Sequence, residues 1–226
     1  MNTKMNTKMN TRKIAVAVVL GVIALAFLVG MNVYQRSVQQ AQEEKASQQN
    51  DRLVRPHSPV FGPKAAPVTI VEFFDPACES CRYFYPIVKD ILKKHPDDVR
   101  LVLRYAPFHR GSEQVVALLV AAKLQNQYQP VLEAILDAQP QWADHGMPNI
   151  GIAFKVAQQT GLDMDKAATQ AQSPETQAVI RQDMQDLTSL GVTKTPTFFV
   201  NGRSLLNFGP EQLAALVAEE VAKVKK

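Results

Sequence analysis

The chain has two cysteines, Cys78 and Cys81, set as Cys78-Glu79-Ser80-Cys81 at the junction of two different patterns. Before them, Val68 to Phe74 (VTIVEFF) is an apolar, β-branched run that reads as a buried strand. Asp75-Pro76-Ala77 turns the chain, and an amphipathic stretch opening at Cys78 reads as a helix to about His95. A cysteine at a helix start has its sulfur beside unpaired backbone N–H groups, which favour the thiolate. Cys81 falls one turn later on the same face, close enough for a disulfide. The pair suits thiol–disulfide exchange, with Cys78 meeting the substrate and Cys81 resolving the mixed disulfide.

Other readings compete. An inert staple is a poor use of the pair, because a bridge closing so small a loop removes little chain entropy. Half a zinc site needs two more ligands, and His57, His95, His109 and His145 are scattered without ligand spacing, so no metal is expected. A non-catalytic chaperone or copper-handling module is the reading from a different class. Thiolates suit Cu(I), but no Met-rich or His-rich tract accompanies them. Trapping of mixed disulfides by Cys81→Ser separates exchange chemistry from chelation.

The first 57 residues are organised differently. Residues 1–13 carry Lys4, Lys8, Arg12 and Lys13 and no acid, and are expected to stay in the cytoplasm. The uncharged run over 14–33 is long enough to cross ~30 Å of hydrocarbon as a signal-anchor. A cleaved signal peptide is the alternative, with Ala24-Leu25-Ala26 as cleavage site, although that site lies inside the apolar run. Residues 34–57, polar and Gln-rich, read as a stalk. Four of the 25 basic residues and none of the 21 acids precede residue 35, so the remainder has 21 of each. The basic balance belongs to the anchor, and nucleic acid is not expected as a partner.

From 58 to 226 the chain is the length of one ordinary domain. An edge strand is expected near Val60-Phe61, then the strand over 68–74, the helix over 78–95 and a second apolar strand from Val99 to Tyr105. A helical insertion follows over about 111–190, with helices near 112–126, 129–138, 149–160, 163–172 and 174–190, and a loop over 139–148. Ser112 and Ser173-Pro174 read as helix starts, Gly161 and Gly191 as stops. Thr197 to Val200 returns to β, Asn201-Gly202 signals a hairpin into a strand over 203–207, and a final amphipathic helix covers 210–224.

Strand, CxxC, helix and strand, then a helical insertion, then strand, hairpin and helix resembles the thioredoxin fold in its DsbA-like form. The resemblance covers about 58–226 and rests on APVTIVEFFDPACESC, on Pro86 five residues after Cys81, and on Thr195-Pro196-Thr197-Phe198-Phe199. It implies an α/β thioredoxin fold with an inserted helical subdomain, here preceded by a single transmembrane helix. It also implies a cis Pro196 facing the disulfide, with Thr195 and Pro196 shaping a substrate groove. Glu72 would be a buried acid relaying protons to the inner thiol, with Arg104 as its basic partner. Where DsbA has Pro-His between the cysteines, this chain has Glu79-Ser80. A carboxylate beside Cys78 is expected to raise its pKa and give a milder oxidant.

The expected activity is therefore extracytoplasmic thiol–disulfide exchange through a Cys78–Cys81 disulfide, with no other cofactor. The architecture leans toward a disulfide-forming oxidase; Thr195 and the acidic dipeptide lean toward isomerase or reductase. Expected partners are substrate proteins bearing thiols or disulfides and a membrane redox partner, either a quinone-linked oxidant or an electron donor. The catalytic domain is placed in the periplasm, tethered to the inner membrane through residues 14–33.

Overall fold

A strand–helix–strand crossover sets the architecture. In a computed structural model, strands β1 (Val60–Phe61), β2 (Val68–Phe74), β3 (Val99–Tyr105), β4 (Thr197–Val200) and β5 (Arg203–Ser204) form one sheet in the order β1-β3-β2-β4-β5. Helix α1 (Glu79–Lys94) connects β2 to its parallel neighbour β3, and the other pairings are antiparallel. A parallel pair needs such a crossover, which places a helix on the sheet face. The structure describes residues 51–225 apart from 145, 146 and 206, together with 16, 20, 25 and 27–34. Residues 49–226 form one unit and 1–48 another.

Both sheet faces are buried, and side-chain parity assigns each residue to one of them. Ile70 and Phe74 of β2, Leu101 and Leu103 of β3, and Phe198 and Val200 of β4 share a core with α1 and with α8 (Pro210–Val224). Val71 and Phe73, Val102, and Phe199 face the opposite side, where they pack with Leu53, Leu187 and Val192. Glu72 has the parity of the first face; Arg104, in register with Phe73, has that of the second.

Between β3 and β4 lie α2 (Ser112–Leu124), α3 (Tyr128–Asp137), α4 (Gln139–Trp142), α5 (Ile150–Gln159), α6 (Met164–Ala171) and α7 (Pro174–Ser189). The α2 segment is buried nearly all round, from Val115 through Ala122. Such a helix shows no amphipathic stripe because neighbours cover every side. Ser173 caps α7 by accepting from the Thr176 N–H, as its sequence signal predicts. Gly161 (φ 91°) and Gly191 (φ 69°) follow their helices in the left-handed region that a terminating glycine supplies. Asn201 (φ 46°) and Gly202 (φ 81°) make the predicted β4–β5 hairpin.

Helix α2 starts at Ser112 as expected; Gly111 is its N-cap, and the Ser112 hydroxyl donates to Asp75. Three expectations need correction. The return strand is limited to Arg203–Ser204. The expected loop over 139–148 begins with α4, where Trp142 is fully buried and its Nε1 donates to the Ile135 carbonyl at 2.9 Å. An indole that buries its ring and satisfies its N–H fixes a chain segment firmly.

The stalk also ends earlier than expected. Leu53 is completely buried, Arg55 makes a bidentate pair with Asp186 at 2.7 and 2.8 Å, and His57 Nε2 lies 2.6 Å from Asp183. Residues 51–57 are thus part of the domain. The basic segment 1–13, most of the expected anchor 14–33 and residues 35–50 of the stalk lie outside the described residues. Among the described residues no helix is long and apolar enough to cross a membrane.

Candidate active site

Strand β2 ends at Phe74, and the turn over 75–77 delivers Cys78 as the N-cap residue of α1 with an extended backbone (φ −78°, ψ 118°) and no side-chain capping bond. Its sulfur therefore stands among the first N–H groups of the helix. Both thiols are free: Cys78 is 6% exposed and Cys81 fully buried, so only the outer sulfur is presented to the surface. The Cys78 Sγ lies 3.3 Å from the Thr195 carbonyl oxygen, and Thr195-Pro196 is a cis peptide. The structure thus brings together Cys78, Cys81, Thr195 and Pro196, with Glu79 and Ser80 exposed on the first turn.

The two thiols are electrostatically unlike. The Cys81 thiol donates to the Cys78 sulfur, and this bond, with further donation from the Thr195 side chain and the Ser80 and Cys81 N–H groups, brings Cys78 down to about 6 against the opposing effect of burial. Burial pushes Cys81 well above the ordinary thiol range, and its bond to Cys78 and the charges of Glu72 and Cys78 add to that. The Asp75 N–H donates to Cys81 Sγ at 3.5 Å and opposes this in part.

Cys78 lies below the ordinary thiol range although Glu79 stands beside it. Its carboxylate is exposed at the helix start, where water and salt screen its field. Direct donors to the sulfur outweigh it, and Cys78 is acidic rather than basic.

Glu72 is 1% exposed on the face that carries the cysteines. Burial raises its pKa to about 8, with the Cys78 charge adding to the shift. Its Oε1 has no hydrogen-bond partner among the described residues. Arg104 is not its partner. The guanidinium lies across the sheet, fully buried, donating to Asp183 at 2.7 and 3.0 Å, to Asp186 at 2.7 Å and to the carbonyls of Arg52 and Leu53. Parity explains the error: Glu72 and Arg104 are on adjacent strands but project to opposite faces.

Two contributors escaped sequence reasoning. Asp75, fully buried, accepts from the N–H groups of Ala77 (2.9 Å), Phe108 (2.8 Å) and His109 (2.9 Å) and from Ser112 Oγ, and pairs with His109 Nδ1 at 2.8 Å. It ties the turn before Cys78 to the start of α2. Gln139 donates through Nε2 to the carbonyls of Pro76 (2.8 Å) and Cys78 (3.0 Å). Asp75 in a DPAC turn carried a usable signal, since Asx residues hydrogen-bond the backbone two positions on. Gln139, 61 residues from Cys78, carried none.

Beside the cis-proline lies a groove of about 470 Å³ bordered by Val192, Lys194, Pro196, Leu205 and Phe208. Phe208 is 48% exposed, packs at a tilt against Phe84 with centroids 4.8 Å apart and has the Lys194 ammonium 6.0 Å from its centroid. Among the described residues no group of three or more His, Cys, Asp or Glu is placed to hold a metal ion.

A dithiol at the start of the crossover helix, opposed by a cis X–Pro and backed by a buried carboxyl, defines a thioredoxin-type protein. The family profile described as Thioredoxin matches residues 55–219, and the chain belongs to that family. Among solved structures, a thioredoxin-like oxidoreductase of Silicibacter pomeroyi DSS-3 is 30% identical, with TM-score 0.64 over 77% of this chain and 96% of that one. BdbD of Bacillus subtilis shares the fold at 22% identity and TM-score 0.65, over 74% of this chain and 94% of its own. A curated relative, the Na(+)/H(+) antiporter NhaA of Herminiimonas arsenicoxydans, is 29% identical over 149 residues, 65% of this chain. The chain spans only 22% and 24% of the length of the antiporters it matches first.

Proposed function

We propose that the protein is a thiol–disulfide oxidoreductase that exchanges a Cys78–Cys81 disulfide with substrate proteins and works as a disulfide-forming oxidase. The observation that carries this reading is the unequal pair of thiols: an outer sulfur brought down to about 6 and an inner one pushed well above the ordinary range. A stabilised Cys78 thiolate favours the reduced protein, and a disulfide whose reduced form is stabilised is a good oxidant.

In the oxidising direction a substrate thiolate attacks the Cys78 sulfur of the disulfide. The S–S bond breaks, Cys81 leaves and takes up a proton, and Glu72, largely protonated at neutral pH, is the buried group able to supply it. A second substrate thiolate attacks the substrate sulfur of the mixed disulfide and releases Cys78 as thiolate. The substrate loses two electrons and the protein gains them. Thr195 and Pro196 border the outer sulfur, and the groove beyond them would receive the substrate chain. Because each turnover leaves the protein reduced, a two-electron acceptor must reoxidise it. In this reading it is a membrane partner reached by a domain outside the cytoplasm and tethered through residues 14–33.

Cys81→Ser is expected to accumulate mixed disulfides with cystine-bearing substrates, visible as alkylation-quenched adducts on non-reducing gels. Cys78→Ser should give none. Equal, silent loss in both variants would point to a chelating or purely structural pair.

A further inference from the structure

The helical insertion also reaches the backbone of the redox turn through the Gln139 side chain. Gln139, 1% exposed at the first position of α4, is held there by Trp142 three residues on. Its amide orientation is unambiguous. Arg82 Nε donates to Gln139 Oε1 at 2.9 Å, and a guanidinium can only donate, so the oxygen must face Arg82. The NH2 group must then face the Pro76 and Cys78 carbonyls, at 2.8 and 3.0 Å.

We propose that Gln139 is a positioning residue for the redox centre, setting the reactivity of Cys78 from the helical insertion, with Arg82 orienting its amide. The two carbonyls it holds belong to the peptide units on either side of the Ala77–Cys78 peptide. Fixing them keeps the Ser80 and Cys81 N–H groups aimed at that sulfur, and it turns a partial positive charge toward two oxygens that would otherwise repel a thiolate. The Cys78 carbonyl also accepts the Arg82 N–H at 3.1 Å, the first bond of α1, so clamp and helix start share one acceptor. Arg82, one residue beyond Cys81, thereby acts from its side chain and its backbone on the same turn. This inference rests on Cys78 being the exchanging thiol.

The test is the pH dependence of Cys78 alkylation by iodoacetamide in the reduced full-length protein, together with its equilibrium against glutathione. Gln139→Met keeps the volume and removes the donors. The midpoint for Cys78 alkylation should rise by one unit or more, with a corresponding tenfold loss of reduced-form stability at pH well above both midpoints, about 30 mV toward a more reducing couple. Arg82→Met, at an exposed position safe for folding, should shift the midpoint the same way by less. The double variant should shift no further than Gln139→Met alone, because Arg82 acts through the amide. A Gln139→Met protein that titrates and equilibrates like wild type overturns the proposal, whatever its melting temperature. Additive shifts overturn the orienting role of Arg82. A wild-type protein with no dithiol–disulfide couple at all would instead refute the exchange function.

Discussion

Glu72→Leu is expected to stabilise the reduced protein by about 3 kcal/mol at pH 7 and to flatten the fall in its stability between about pH 4.5 and pH 8. The carboxyl has a folded pKa near 8 against an ordinary 4.5. Below the lower value both states hold the proton and nothing is lost. As pH rises between the two, the unfolded chain ionises while the folded one must stay protonated, so stability falls by about 1.4 kcal/mol per unit. Above the folded pKa both states are ionised and the loss is complete. Leucine abolishes that loss and replaces a carboxyl whose Oε1 has no partner among the described residues. Denaturant unfolding across this pH range reads the effect directly. An unchanged slope in the variant would mean that Glu72 is ionised in the native protein or is not its source. The same variant should slow exchange, since Cys81 loses its nearby proton donor, which would make Glu72 a group kept for reactivity at the expense of stability.

Asp183→Asn is expected to destabilise the protein by about 3–5 kcal/mol, the usual cost of removing one member of a buried ion pair. Asp183 accepts from Arg104 at 2.7 and 3.0 Å, from the Tyr105 N–H at 2.7 Å, and lies 2.6 Å from His57 Nε2. Its side chain and that of Arg104 are both fully buried. Losing the charge leaves a guanidinium with Asp186 as its remaining carboxylate and frees the segment that Arg104 holds through the Arg52 and Leu53 carbonyls. Urea unfolding measures the loss. Because the cluster is across the sheet from the cysteines, the Cys78 alkylation midpoint should not move. A shift there would restore a redox-tuning role to Arg104.

The sequence exposed what local pattern can encode. The VTIVEFF run, the cysteine spacing and the Asn201-Gly202 turn each carry their own physical signature, and β2, α1 and the hairpin appear where those signatures lie. Glu72 stood out as an acid among apolar neighbours for the same reason. Arg104 misled because adjacency along the sheet says nothing of face until the register is known. The net state of Cys78 could not be read from Glu79 beside it, because the donors that touch the sulfur come together only in the fold. Gln139 was invisible, since a buried amide looks like any glutamine until the turn it clamps has been folded against it. Leu53, Arg55 and His57 were hidden in polar company; the burial of Leu53 and the buried partners of Arg55 and His57, 131 and 126 positions away, identify them as part of the domain.

The central claim is that Cys78 and Cys81 form a reversible couple with an activated outer thiol. Equilibration of the full-length protein against glutathione buffers tests it most directly. A Cys78 pKa of about 6 lies between those of thioredoxin and DsbA, so a single two-electron transition is predicted between ~−270 and ~−120 mV, toward the oxidising side of thioredoxin. A bridge that stays closed below ~−300 mV, as structural disulfides do, would contradict the account, and so would failure to form any bridge across that range.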